Sequence, residues 1–173
     1  AWQALRLSLL TSTISMTIII LVGTPFAHLL ARSSSPVLRV VDNLVELPIV
    51  LPPVVAGIAM LMAFGRHGII GPALENMGII LPFTTIAVIF AQIFVAAPFY
   101  IRSARLGFQS VAQDYEEISQ TLGVSPLQTF RRLTIPLAGP SLATGLAMAW
   151  ARALSEFGAT IMFAGNLTGK TQT

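Results

Sequence analysis

The charged residues of this chain fall in clusters, and the gaps between the clusters set out its elements. Residues 7–31 form 25 consecutive positions without Asp, Glu, Lys or Arg, residues 47–65 form 19, and residues 76–101 form 26. About 20 predominantly apolar residues suffice for a helix to cross a bilayer, so each gap predicts a spanning helix. A fourth apolar stretch, 137–165, is long enough but carries Arg152 and Glu156. The pattern predicts an all-α membrane protein with about four transmembrane helices. Between the first and second spans, and again between the third and fourth, lie polar segments 32–46 and 102–136.

Those two segments hold Arg32, Arg39, Arg102, Arg105, Arg131 and Arg132, against Arg6, Arg66 and Lys170 on the opposite side. The positive-inside rule places the richer side in the cytoplasm and the start of the chain outside. The first span is too long for a signal peptide and lacks its small-residue cleavage pattern. The second is irregular: Pro48, Pro52 and Pro53 fall within six residues and Gly57 follows. Each proline removes a donor and frees a carbonyl, which in lipid needs protein or a water-filled cavity beside it. Pro52, Pro53 and Gly57 are therefore candidates either for a translocation path or hinge, or for a kinked helix packed on its neighbours. Arg66 to Gly78, with Gly68, Gly71 and Pro72, reads as a short outside loop.

Segment 102–136 is polar but patterned. Val111, Tyr115, Ile118 and Leu122 recur at spacings of four, three and four, one apolar stripe on a helix. Asp114, Glu116 and Glu117 sit in its first turns, where the helix dipole favours anions. Gly123 suits a left-handed cap. Ser125, Pro126 and Gln128 then match a capping box that starts a second helix. That helix has Leu127, Phe130 and Leu133 on its apolar face, and Pro136 interrupts it. Two short amphipathic helices thus meet at a glycine turn within about 108–136, on the cytoplasmic side. A lipid-surface helix is usually rich in Lys and Arg. The first helix here has three acids and no base, so a groove in a soluble protein partner suits it better.

Composition sharpens the class. Only 10% of the 173 residues are charged and 54% are hydrophobic, where a soluble domain carries about 25% charge. A disordered chain, a disulfide scaffold and most soluble enzymes are excluded; there is no cysteine. The net charge of +3 is too small to argue for nucleic acid as a partner. The start at Ala1 without methionine and the end in a polar stretch read as a fragment, here treated as a single truncated transmembrane domain over 1–173.

The run Glu117-Ile118-Ser119-Gln120-Thr121-Leu122-Gly123, then nine residues, then Leu133-Thr134-Ile135-Pro136, resembles the EAA loop of ABC importer permeases. Ile118 and Ser119 replace two alanines, while the glutamate, glycine and proline spacing is kept. Trp2-Gln3-Ala4-Leu5, the run from Leu47 through Pro52-Pro53 to Gly57, and Ala151-Arg152-Ala153-Leu154-Ser155-Glu156-Phe157-Gly158-Ala159-Thr160 are similar to the molybdate/tungstate and sulfate branch. Ala164-Gly165-Asn166 and Gly169-Lys170-Thr171-Gln172-Thr173 add to it. The resemblance implies a multi-pass cell-membrane (inner-membrane) permease that imports a tetrahedral oxyanion, molybdate or tungstate first and sulfate or thiosulfate second. It implies a separate ATPase subunit, an extracytoplasmic oxyanion-binding protein and a second permease copy. It implies coupling to the ATPase through Glu117, Gly123, Pro126, Phe130 and Pro136, and it adds Thr160 to the candidate path. A non-transporting membrane anchor that recruits a soluble partner is the alternative from a different class.

Other chemistry is weak. Ala164, Gly169, Lys170 and Thr171 fit a relaxed phosphate-loop pattern, but the first glycine, the preceding strand and the acidic Mg²⁺ partner are missing. No metal-ligand spacing and no Ser–His–carboxylate set is present, so no cofactor, no metal site and no catalytic residue is expected. Arg152 and Glu156, at i and i+4 of one predicted helix, can face each other. Ionisable residues in a span are costly and often functional. The pair is either a self-neutralising structural contact or an anion site tempered by the carboxylate.

Overall fold

A computed structural model describes residues 2–78, 80–167 and 171. Of the residues singled out above, Gly169, Lys170, Gln172 and Thr173 lie outside that set. Among the described residues all regular structure is helical: α1 (Trp2–Arg32), α2 (Pro36–Val50), α3 (Pro53–Phe64), α4 (Gly71–Asn76), α5 (Thr85–Ser110), α6 (Gln113–Thr121), α7 (Pro126–Thr129), a π-helical turn (Phe130–Thr134), α8 (Ile135–Leu154) and α9 (Gly158–Ala164). Among the described residues three helical stretches are long and apolar enough to cross a membrane, Ala4–Arg32, Thr85–Ser110 and Pro126–Leu154.

The other predicted span is divided. Leu51 and Pro52 are extended, with ψ of 132° and 135°. Pro53 pushes Pro52 out of the helical region, as Pro52 does Leu51. The 12-residue α3 is about 18 Å long at 1.5 Å per residue, short of a hydrocarbon core of about 30 Å. The third predicted span is displaced: its helix starts at Thr85 rather than near residue 76, and it runs past Arg102 and Arg105 to Ser110. Gly78 and Phe83 have positive φ (76° and 63°), which breaks any helix there, and the Thr84 hydroxyl caps α5 by accepting from the Ala87 N–H at 3.2 Å. The fourth stretch also breaks. α8 ends at Leu154, so Arg152 and Glu156 do not share one helix; Glu156 lies in the three-residue gap before α9.

Pro136 does not interrupt its helix as expected. The π turn widens the backbone just before it, the Ile135 N–H bonding the Phe130 carbonyl five residues back. The wider turn accommodates a ring that would otherwise press on the carbonyl four residues earlier.

Helix α5 is the centre of the bundle, with α1 and α8 against it. Small residues set the α5–α8 approach, as is usual between helices in lipid. A Cβ on Gly107 would lie 2.6 Å from Ser141 Cβ, and one on Gly145 2.8 Å from Ser103 Cβ. The Ser103 hydroxyl donates to the Ser141 carbonyl at 2.8 Å. Polar pairs join α1 to α5: Ser15 donates to Gln92 Oε1 at 3.0 Å, and the Thr24 and Tyr100 hydroxyls are 2.7 Å apart. A second core lies among α3, the first half of α5 and α9, where the rings of Phe64, Phe90 and Phe163 meet.

Candidate functional site

The patterned loop folds as a helical hairpin knob. At the end of α6 the Gly123 N–H bonds the Gln120 carbonyl at 2.9 Å and the Val124 N–H bonds the Ser119 carbonyl at 3.1 Å. With φ of +81° at Gly123, this is a complete Schellman turn. The Ser125 hydroxyl then accepts from the Gln128 N–H at 3.4 Å, with Pro126 at the first helical position. Ser119 and Thr129 hydroxyls, 2.9 Å apart, tie the two arms together. The predicted stripe is modified in one place: Val111 belongs to the end of α5 and is buried, while Tyr115, Ile118 and Leu122 stay exposed. Leu122 is 78% exposed and Leu127 66%, so the tip of the knob is apolar and bare. Glu117 is exposed and accepts from Gln113 Nε2 at 3.2 Å. Phe130 turns inward instead, its ring 4.8 Å from His28 and 5.9 Å from Phe108.

Beneath the knob sits a polar cluster. Glu116 Oε1 accepts from Arg32 Nη2 at 2.8 Å and from the Thr134 hydroxyl at 3.0 Å, with His28 Nε2 at 3.5 Å. Arg32 Nη2 also donates to the Val111 carbonyl at 3.0 Å. Burial pushes the Glu116 carboxyl up. The hydrogen bonds from Arg32 and Thr134 and the charges of Arg32 and His28 outweigh this and leave it below the ordinary glutamate value. A second ion pair, Asp42–Arg105, joins α2 to α5.

The remaining candidates gather at two helix breaks. Pro52 and Pro53 form the α2–α3 break, and a Cβ on Gly158 would lie 2.9 Å from Pro53 Cβ. Gly57 is buried against α9: a Cβ there would lie 2.7 Å from the Ala159 carbonyl oxygen. Arg152 Nη2 is 2.7 Å from Glu156 Oε2, with side-chain exposures of 25% and 1%. Glu156 Oε1 accepts from the Ala159 N–H at 2.6 Å, and the buried Thr160 hydroxyl donates to the Glu156 carbonyl at 3.4 Å.

Residues 19–172 match the family described as the binding-protein-dependent transport system inner membrane component. The chain belongs to this family. It is 45% identical over 172 residues to the probable transport system permease protein NifC of Clostridium pasteurianum, covering 99% of this chain and 60% of that protein. It is 45% identical over 170 residues to the molybdenum transport system permease protein ModB of Mycobacterium tuberculosis, covering 98% and 64%. It is 38% identical over 171 residues to the sulfate transport system permease protein CysW of Synechococcus elongatus, covering 99% and 60%. The chain thus spans less than two thirds of the length of each of these relatives. Its fold matches a chain of the MetNI methionine ABC transporter in an inward-facing conformation, with a TM-score of 0.67 at 20% identity, over 93% of this chain and 73% of that one.

As a member of this transport family, the chain is an integral membrane protein. Its fold brings Pro53, Gly57, Arg152, Glu156 and Thr160 into one region, and Glu117, Gly123, Pro126 and Leu127 onto the knob. Sequence reasoning missed the Glu116–Arg32–His28–Thr134 cluster. Glu116 read as one of three acids favoured by the helix dipole, and no periodicity links it to Arg32, 84 positions away.

Proposed function

We propose that this chain forms the membrane-spanning permease of an ATP-driven importer that passes a tetrahedral oxyanion, molybdate or tungstate, into the cell across the inner membrane. The knob carries this reading: an exposed apolar tip on a rigid Schellman hairpin, in a chain 45% identical to a molybdenum transport permease over 98% of its length. Tyr115, Ile118, Leu122 and Leu127 seat in a groove of a separate ATPase subunit, as an amphipathic helix seats in an apolar cleft. Gly123 and Pro126 set the angle of the two arms, Glu117 lies on the exposed rim, and Phe130 and Pro136 support the base. ATP is hydrolysed in that partner. An extracytoplasmic binding protein delivers the anion, and a second copy of the permease completes the path.

The orientation puts 32–46 and 102–136 in the cytoplasm. The basic asymmetry supports it, and so do the Asp42–Arg105 and Arg32–Glu116 pairs, which join these segments at one end of the bundle. On the path, Arg152 attracts the oxyanion while Glu156 tempers its hold. Weak binding is required, because a transported dianion must also leave. Pro52, Pro53 and Thr160 line the same region, and Gly57 lets α3 and α9 approach there.

A second cargo, sulfate, is favoured by the 38% identity to the sulfate permease. The test is uptake into vesicles carrying the permease, its ATPase and its binding protein. ATP-dependent entry of labelled molybdate, blocked by tungstate and not by equal sulfate, is the expected result. Entry of sulfate alone moves the cargo to the second reading, and entry of neither leaves the membrane anchor.

A further inference from the structure

We infer that Glu116 is a positioning residue: its carboxylate clasps the knob to the end of α1 and to the π turn before α8, so that movement of the knob is transmitted to both helices. None of the residues of α6 is buried, so apolar packing contributes little to holding this helix in place. Among the described residues, the α6 side-chain hydrogen bonds that leave the helix reach Thr129 within the hairpin and, through Glu116, the spanning helices. One oxygen, Glu116 Oε1, gathers Arg32 at 2.8 Å, Thr134 at 3.0 Å and His28 at 3.5 Å, groups from two separate elements. Arg32 extends the clasp to the end of α5 by donating to the Val111 carbonyl. With side-chain exposures of 13% and 18%, Glu116 and Arg32 are shielded from the solvent that weakens surface pairs. Thr134 is fully buried, and the Phe130 ring packs on His28 from the side. The carboxylate points inward while Tyr115, Ile118 and Leu122 point out, so fastening and docking use opposite faces of one helix.

This inference rests on the importer reading for its functional half and on geometry alone for its structural half, and the two are tested separately. In the permease alone, without ATPase, amide exchange over 113–121 should rise about tenfold in Glu116→Gln, roughly the equivalent of one charge-assisted hydrogen bond. Exchange in the second half of α8 should stay unchanged. In the full complex the same variant should keep its membrane abundance and its ATPase, yet move about tenfold less oxyanion per ATP. The exchanged pair Glu116→Arg with Arg32→Glu should recover part of that loss. If Glu116→Gln does not accumulate, Arg32→Lys gives the same readout, since it keeps the charge but lacks the planar fork. Unchanged exchange over 113–121 overturns the clasp whatever uptake does. Raised exchange with unchanged oxyanion per ATP overturns the transmission role. A wild-type complex without oxyanion uptake overturns the importer reading, and the exchange measurement still decides the clasp.

Discussion

Gly57→Ala tests whether α3 and α9 meet as closely as the structure places them. The new Cβ would sit 2.7 Å from the Ala159 carbonyl oxygen, 2.7 Å from Met162 Cβ and 2.9 Å from Ala159 Cα. Carbon atoms in good contact stand about 3.5–4.0 Å apart, so α9 must retreat by roughly 1 Å. Two of the three atoms are backbone, and no rotamer change relieves them. A gap of about 0.5–1 Å forfeits a quarter to a half of each lining atom's dispersion energy, and overpacking of this kind costs about 1–3 kcal/mol. For a chain of 173 residues, each 1 kcal/mol lowers Tm by about 2–4 °C on the scale of soluble domains. The expected loss is therefore roughly 2–12 °C, read from tryptophan fluorescence during heating in detergent. Gly139→Ala is the control. It lies inside α8 with no atom within 4 Å of its added Cβ, and alanine there gains about 0.5–1 kcal/mol of helix preference. Its Tm should match or exceed the wild type. A Gly57→Ala protein that melts with the wild type, or a Gly139→Ala protein that loses as much, would refute the packing argument.

Three further outcomes are expected. In Gly123→Val no atom within 4 Å opposes the side chain, so the cost is the backbone strain of a β-branched residue at positive φ, about 1–2 kcal/mol or more; membrane abundance should hold while ATPase co-purification or uptake is lost, and full coupling would remove the turn from the docking reading. Arg152→Ala leaves the buried Glu156 Oε2 without its cation, so folded protein should fall; adding Glu156→Gln should restore abundance but not oxyanion uptake, and normal uptake by either variant would make Arg152 purely structural. Because the Glu116 pKa is lowered on folding, its stabilisation is complete above the ordinary value of about 4.3 and is lost as pH falls through the lowered one. The Tm difference between wild type and Glu116→Gln should be present at about pH 5 and shrink below about pH 4; a difference that persists undiminished to about pH 3 would show that the charge of Glu116 contributes nothing.

Features that close between near neighbours along the chain were legible without the fold. The glycine turn at 123, the serine cap at 125 and the proline after it are settled within five residues, because Schellman bonds and capping bonds close over that distance. The existence of the first span follows from an uninterrupted apolar run, since lipid requires each backbone group to be bonded within its own helix, although the helix already begins at Trp2, ahead of that run. The helix ends were less legible. Absence of charge placed the third span near residue 76, yet the helix waits for the Thr84 cap and continues through Arg105, because Asp42 on α2 answers that arginine. Proline at 136 reads as an interruption, whereas the widened turn before it accommodates the ring and the helix continues. Gly57 reads equally as part of a path, a hinge or a packed kink until the backbone of α9 is seen filling the space where a Cβ would stand. The fastening of the knob was decided entirely by tertiary structure: Arg32, Glu116 and Thr134 meet only after α1, α6 and the π turn are packed, and a contact across 84 residues has no periodicity to announce it.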